Sequence, residues 1–396
     1  MVANVSPVKD LANGKFTNLE PTLDFYCWPA GDADCLLLKT PAGNWGLIDC
    51  GLVTPNPALR NAEKLWSTVA DLKGFLEQQG VRRLAFVLLT HPENDHAKGL
   101  PALLSDFEPN LFLSPPGALG RKNLAKLSEL LLKQKASGQT ETAIVSAGDI
   151  LWQEAAHNFR LVALGPTRRD LLAFATATQR LLNQGQAESG QVVLDETALS
   201  NQIMGLVEQL EQEQTAPVIK GRPPYNRLSV VALATYGRGN LLMGADALTT
   251  SWRTIAKHPF FTCEGVRVTQ TDLRAQVFKV PHHGANDGIP LELAGVFLQE
   301  GAISLVSSSG HSFASPSNEI LSGLTRRGYA PYCTGRSAWC PGRSVGRPCC
   351  GLLKVQLFKD GKVPLVENEH TWRKTKPVMC SFQETITPSS LIRQNF

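Results

Sequence analysis

Within the six residues His91-Pro92-Glu93-Asn94-Asp95-His96 stand two imidazoles and two carboxylates. Imidazole nitrogen with carboxylate oxygen is the donor set that binds zinc, manganese or iron. The cluster follows the apolar run 84–89, which reads as a buried strand. A loop at the end of a rigid strand is where proteins commonly place metal ligands and catalytic groups. A polar surface turn would explain this segment alone, but three other segments answer it. Asp246 ends Leu-Leu-Met-Gly-Ala-Asp, His282 and His283 follow Phe-Lys-Val-Pro, and Asp49 ends Trp-Gly-Leu-Ile-Asp. One Asp after a strand is ordinary turn chemistry. Four strand ends carrying His or Asp, two of them with paired imidazoles, point instead to a dinuclear centre in which Asp246 bridges two cations. Two cations about 3.5–4 Å apart can activate water and clamp a phosphoryl or acyl oxygen.

The elements that must position these residues come next. Residues 23–28, 35–39 and 45–49 read as an opening meander, and 56–79 as a helix with Leu65, Val69, Leu72 and Leu76 on one stripe, ended by Gly80. A short helix is expected from Gly99, a longer one over 122–135, and strands near 143–146 and 159–164. Residues 167–215, rich in Leu, Gln, Glu and Ala, read as a helical insertion between core strands. It could cap the site or dock a partner protein. Strands follow at 229–235, 240–243, 276–280 and 303–307, then a helix over 316–327 capped by Ser315 and ended by Gly328, and a last strand at 352–358.

In order and spacing these motifs make the chain resemble a metallo-β-lactamase-fold hydrolase, and within that group the hydrolase domain of ComEC-type competence proteins. The resemblance rests on Gly31-Asp32-Ala33-Asp34-Cys35-Leu36-Leu37-Leu38, Asp49-Cys50-Gly51 and His91 to His96. It continues through Asn226 and Ser229, Gly244-Ala245-Asp246 and Pro281-His282-His283-Gly284, covering most of residues 22–358. It implies an α/β fold, a four-layer αββα sandwich with a helical insertion. It also implies one or two divalent cations, zinc or manganese, held by His91, Glu93, Asp95, His96, Asp246, His282 and His283. Asp34 and Asp49 would orient loops and imidazoles from behind. Asp95 would ligate and orient the attacking water, and His283 or His311 would stabilise the developing oxyanion.

The chain departs from the superfamily pattern in three places. Glu93 stands where the usual metal loop has a second His, and is either a ligand or a solvated acid. The next superfamily ligand, a His before the Asp, has no clear match: His157 precedes the strand 159–164 and reads as structural, and the loop after that strand is Gly165-Pro166-Thr167. Ser315-Pro316 replaces a common His-Pro, leaving His311 as a candidate to reach the site.

Composition sets the frame. The 396 residues are 43% hydrophobic, enough for a large core, with a formal charge of +4 that permits an anionic substrate without demanding one. No apolar run approaches about 18 residues, so no membrane span is expected. The start of the chain lacks an apolar signal segment, and nine scattered cysteines fit a reducing cytoplasm better than a disulfide framework.

Residues 333–350 stand apart, with Cys333, Cys340, Cys349 and Cys350, Trp339, Arg336, Arg343 and Arg347, and no acid. The spacing lacks paired zinc knuckles. The arginines suit a phosphate backbone, or the segment is a surface loop, and a tail follows over 367–396. Lys98 and Lys279 are near enough in sequence to the ligands to receive a phosphate. The ComEC-type resemblance implies phosphodiester hydrolysis, with DNA as the leading nucleic-acid substrate. Two other readings remain: a hydrolase of small esters, thioesters or lactams, and a non-catalytic partner protein built on a hydrolase fold.

Overall fold

The computed structural model describes residues 8–9, 16–17, 20–51, 69–183, 225–257, 260–263, 266–269, 274–308, 315–334 and 351–368. After a short strand pair, β1 (Val8–Lys9) with β2 (Phe16–Thr17), the first half contributes β3 (Leu23–Cys27), β4 (Cys35–Lys39), β5 (Trp45–Cys50), α1 (Val69–Gln78), β6 (Leu84–Leu88), α2 (Asn94–Ala97), α3 (Leu100–Leu104), β7 (Pro109–Ser114), α4 (Ala125–Ala136) and β8 (Glu141–Ile144). The second half contributes β9 (Ile150–Glu154), β10 (Phe159–Ala163), α5 (Arg168–Asn183), β11 (Ala232–Tyr236), β12 (Gly239–Met243), α6 (Thr249–Lys257), the hairpin β13 (Phe260–Cys263) and β14 (Val266–Thr269), β15 (Ala275–Lys279), α7 (Ala294–Phe297), β16 (Leu298–Val306), α8 (Asn318–Arg326) and β17 (Ala330–Cys333). Strands β18 (Leu353–Leu357) and β19 (Leu365–Asn368) return to the first sheet.

Two large sheets result. One is eight-stranded in the order β19-β18-β3-β4-β5-β6-β7-β8, the other seven-stranded in the order β17-β16-β15-β12-β11-β10-β9. The period-2 alternation of β4 shows why they stack: Leu36 and Leu38 enter the inter-sheet core, whereas Cys35 and Leu37 face the helices. Phe25, Ile48, Phe86 and Leu88 of the first sheet meet Leu161, Tyr236, Leu241, Val277 and Leu305 of the second in one buried cluster. Helices α1, α3 and α4 cover the outer face of the first sheet through Leu72, Leu76, Leu103, Leu127 and Leu131. Helices α6, α7 and α8 cover the second through Trp252, Ile255, Phe297, Ile320 and Leu324. The order of layers is therefore αββα, the metallo-β-lactamase sandwich that the motifs lead one to expect.

Several local expectations change. The cap of α8 is Ser317, not Ser315: its hydroxyl accepts from the Glu319 and Ile320 amides, and the helix starts two residues later than the Pro316 start expected. The Ser315-Pro316 pair lies ahead of the helix, which runs from Asn318. Helix α4 begins at Ala125 behind a 3-10 turn over Lys122–Leu124. Strand β16 starts at Leu298 rather than 303. Of the helix expected over 56–79, residues 69–78 fall within the described part, with Leu72 and Leu76 buried as the stripe requires. Of the insertion, α5 is described; its Leu171 and Phe174 pack on Leu228, and 184–224 lie outside the described residues.

Candidate metal centre

Parallel pairing gathers the site. Strands β5, β6 and β7 run parallel in one sheet, as do β12, β15 and β16 in the other, so their carboxyl ends open on one edge of the sandwich. Asp49 is the penultimate residue of β5. His91 lies three residues past β6, Asp246 three past β12, His282 three past β15, and Ser307 one past β16. Asp34 immediately precedes β4, which is antiparallel to β5, and so reaches the same edge.

The backbone there is strained. Asp49 (φ 59°), Ala245 (φ 45°), His282 (φ 50°) and His283 (φ 51°) all occupy the left-handed region, which costs a non-glycine residue roughly 1–3 kcal/mol. In the second sheet this twist turns the consecutive His282 and His283 into the site together. Gly51 serves by absence of a side chain: a Cβ there would lie 1.8 Å from the Asp95 carbonyl oxygen. That carbonyl accepts from the Asp34 amide (3.0 Å), and Gly51 donates to the Asp34 carbonyl (2.8 Å), so the metal loop is clamped to the first sheet.

All four histidines are held by Nδ1. His96 Nδ1 lies 2.7 Å from Asp49 Oδ2, and His282 Nδ1 2.7 Å from Asp287 Oδ1. His283 Nδ1 lies 3.1 Å from the Ser307 carbonyl oxygen, and His91 Nδ1 3.2 Å from Thr90 Oγ1. Thr90 in turn donates from its amide (2.7 Å) and hydroxyl (2.5 Å) to Asp49. Acceptors at Nδ1 place that ring's proton outward and leave Nε2 with a lone pair, the arrangement of a metal-ligating imidazole.

The Nε2 atoms converge on Asp246. Its Oδ1 is 3.3 Å from His96 Nε2 and 3.9 Å from His283 Nε2, while its Oδ2 is 3.7 Å from His282 Nε2 and 3.9 Å from His91 Nε2. Asp95 Oδ2 lies 3.4 Å from His283 Nε2 and 3.9 Å from His96 Nε2, and Glu93 Oε2 lies 3.9 Å from His91 Nε2. Asp95, His96, Asp246 and His283 thus form one compact ligand group, and His91, Glu93 and Asp95 a second. Four atoms aimed inward, His91 Nε2, His96 Nε2, His283 Nε2 and Asp246 Oδ1, are buried without a hydrogen-bond partner. Buried polar atoms are ordinarily satisfied, so this convergence fits a cation.

Burial opposes protonation of His96, yet Asp246 and Asp49 outweigh it and push the imidazole well above its usual range, so a cation binding at Nε2 would have to displace a proton held there by the carboxylates. Burial, and then the neighbouring His96, bring His91 down to about 3, so it is neutral and able to ligate. Burial opposes ionisation of Asp95, but His283 and His96 bring it down to about 2. Asp49, Glu93, Asp95 and Asp246 lie among these imidazoles in addition to Asp34, which Lys279 balances, and such a set of carboxylates favours a cation.

Asp34 and Asp49 stand behind the cluster. Lys279 Nζ lies 3.0 and 2.9 Å from the two oxygens of Asp34, both groups being fully buried, and Ser307 also donates to Asp34. Lys279 is therefore not a phosphate receiver: its ammonium is spent on Asp34 and on the Val280 carbonyl. Lys98 is exposed. His157 sits in the turn between β9 and β10, and Thr167, after β10, is occupied by Asp170. Asn226 of the Asn-x-x-Ser element places Nδ2 3.4 Å from His282 Nε2, where it competes for that lone pair. His311, Arg336, Arg343 and Arg347, with most of the 333–350 segment, lie outside the described residues. Thr90, Asp287, Ser307 and Arg121 are missed by sequence reasoning, because hydroxyl, carboxylate and guanidinium groups carry no motif of their own at these spacings.

Neither a family model nor a curated protein matches the sequence. Among solved structures the chain is similar to a mutant of the CmlA β-hydroxylase (13% identity, TM-score 0.42), covering 80% of this chain and 53% of that one. It is also similar to YhfI of Bacillus subtilis, a metallo-β-lactamase-fold protein (10%, 0.40, 80% and 98%). A third likeness is to a diphosphatase of the PhnP family (9%, 0.34, 85% and 98%). The chain spans about half the length of the first of these. No helix among the described residues is long and apolar enough to cross a membrane. An αββα sandwich with a His/Asp cluster where the ends of both sheets meet presents the donor set of a candidate metal centre.

Proposed function

We propose that the protein is a metal-dependent phosphodiesterase, of the ComEC type that its motifs resemble, with DNA as the leading substrate. The observation that carries this reading is the two-sided presentation of Asp246: Oδ1 faces His96 and His283, while Oδ2 faces His91 and His282. A carboxylate with ligands on both flanks suits a bridge between two cations. Asp95, His96, Asp246 and His283 would hold one cation, and His91, Glu93, His282 and Asp246 the other. Zinc or manganese suits this nitrogen and oxygen donor set. When bound, the cations supply acidification of water and neutralisation of charge on the phosphoryl oxygens.

The chain's own residues supply orientation. Asp49 fixes His96 through Nδ1, and the Ser307 carbonyl fixes His283. Asp95, kept ionised beside His283, would accept a hydrogen bond from the attacking water as well as ligate. Asp34 and Lys279 neutralise one another under the cluster, so the site does not collapse toward an unpaired charge. The nine scattered cysteines of the sequence suit a reducing compartment such as the cytoplasm.

The test is metal content of the purified chain, with cleavage of single-stranded and duplex DNA in added Mn²⁺ or Zn²⁺ and the Asp95→Ala variant alongside. Bound metal together with cleavage that disappears in the variant is the expected result. Bound metal without cleavage of DNA would redirect the search to small esters. A chain that takes up no metal under replete conditions would refute the hydrolase reading and leave a partner protein.

A further inference from the structure

With Lys279 consumed by Asp34, a cation that contacts the metal loop directly is Arg121. It lies in the turn between β7 and α4, and its Nη1 donates to the carbonyl of Pro92, the residue between His91 and Glu93 (3.1 Å). Its guanidinium carbon sits 3.8 Å from the centroid of the Tyr225 ring. Tyr225 packs in turn on Phe174 of α5 (5.4 Å between ring centroids). The next residue, Asn226, is the one beside His282. Arg121 thus spans from the metal loop of the first half to the turn flanking His282 in the second, over the side of the cluster where Glu93 stands. Its positive charge is among those acting on Glu93. Asn123 supports the same carbonyl, with Nδ2 3.2 Å from Pro92 O and 3.0 Å from Asn94 Oδ1.

A guanidinium carries five N–H donors in a rigid plane. Arg121 uses one of them in a hydrogen bond among the described residues. The cation–π contact with Tyr225 restrains the guanidinium and uses no N–H donor in a hydrogen bond. A half-buried fork, already immobilised and with donors to spare, has met much of the entropic cost of gripping two oxygens of one anion.

We propose that Arg121 is the specificity-determining residue that grips the non-bridging oxygens of the reacting phosphoryl group and so selects phosphodiesters over neutral esters. This rests on the metal-dependent hydrolase reading of the adjoining cluster.

The experiment uses the full chain loaded with Mn²⁺, as wild type, Arg121→Met and Arg121→Lys. Binding of inorganic phosphate is measured by titration calorimetry, with metal content and thermal midpoint as controls. Arg121→Met is expected to weaken phosphate about tenfold or more, and Arg121→Lys less, at unchanged metal content. In turnover, kcat/KM for bis(para-nitrophenyl) phosphate falls about tenfold or more, while that for para-nitrophenyl acetate stays within about threefold. Unchanged phosphate affinity in Arg121→Met, or a wild type that binds no phosphate at millimolar concentration, overturns the proposal. So does loss of metal or equal loss on both esters, which would assign Arg121 to holding the Pro92 loop. Phosphate bound through Arg121 by a chain that hydrolyses neither ester nor DNA would refute the hydrolase reading and leave the anion site. Diester cleavage indifferent to Arg121 would do the reverse.

Discussion

Asp49 and His96 are joined at 2.7 Å through His96 Nδ1, in a place where both are fully buried and the other ring nitrogen points at Asp246. The bond sets the tautomer that a ligand needs. Asp49→Asn offers an amide donor to that nitrogen and favours the wrong tautomer, with a proton on Nε2. Metal affinity should fall about 10–100-fold with little change in fold, read by competition with a chelating dye and by circular dichroism.

The two faces of Asp246 predict separable losses. His283→Ala should remove the cation of the Asp95–His96 group, and His282→Ala that of the His91–Glu93 group, each leaving up to one equivalent bound. Asp246→Ala should compromise both. Metal analysis after dialysis checks this, and identical losses in the two histidine variants would argue for a single shared site.

Gly51→Ala changes no candidate ligand, yet it cannot fit beside the Asp95 carbonyl without displacing the loop. The expected result is reduced metal content and a thermal midpoint lowered by several degrees. An unchanged metal content would mean that the loop tolerates the shift.

The Asp34–Lys279 pair is a stability element with a defined pH window. Lys279→Met strands a buried carboxylate and should cost about 3–5 kcal/mol, whereas Asp34→Asn together with Lys279→Met should recover part of it. Burial opposes ionisation of Asp34, but Lys279 and His283 outweigh it and hold its carboxyl below the usual range. Its contribution is complete above the unfolded value of about 3.9 and is lost as pH falls through the lower folded value. Burial likewise opposes charge on Lys279, but Asp34 raises it. Its contribution is complete below about 10.4 and is lost as pH rises through the higher folded value. The stability gap between wild type and Lys279→Met should therefore be flat near neutrality and narrow at both extremes, as urea titrations across pH would show.

Ser317 caps α8 through two amides. Ser317→Ala should cost about 1 kcal/mol and Ser315→Ala almost nothing, a contrast that chemical denaturation resolves.

The sequence by itself determined the elements whose signal is local. Apolar runs ending in His or Asp marked β5, β6, β12 and β15 and the loops after them, because a strand buried on both faces must be apolar and its end must not be. The residues at those ends, Asp49, His91, Asp95, His96, Asp246, His282 and His283, are all at the edge where the two sheets open. What the sequence could not fix is what depends on approach through space. Lys279 reads as a free cation next to a ligand motif, yet it turns inward to Asp34, 245 positions away in the chain. Arg121 carries no motif, and only the meeting of the first-half turn with Tyr225 places it on the metal loop. The Ser315 cap failed because Ser317 offers the same chemistry two residues on, and the backbone rather than the side-chain type decided between them. Tautomers, the two-sided exposure of Asp246 and the left-handed turn through His282 and His283 follow from packing two sheets face to face so that their strand ends open on the same edge. No local propensity encodes them, because each is the joint outcome of contacts between residues far apart in sequence.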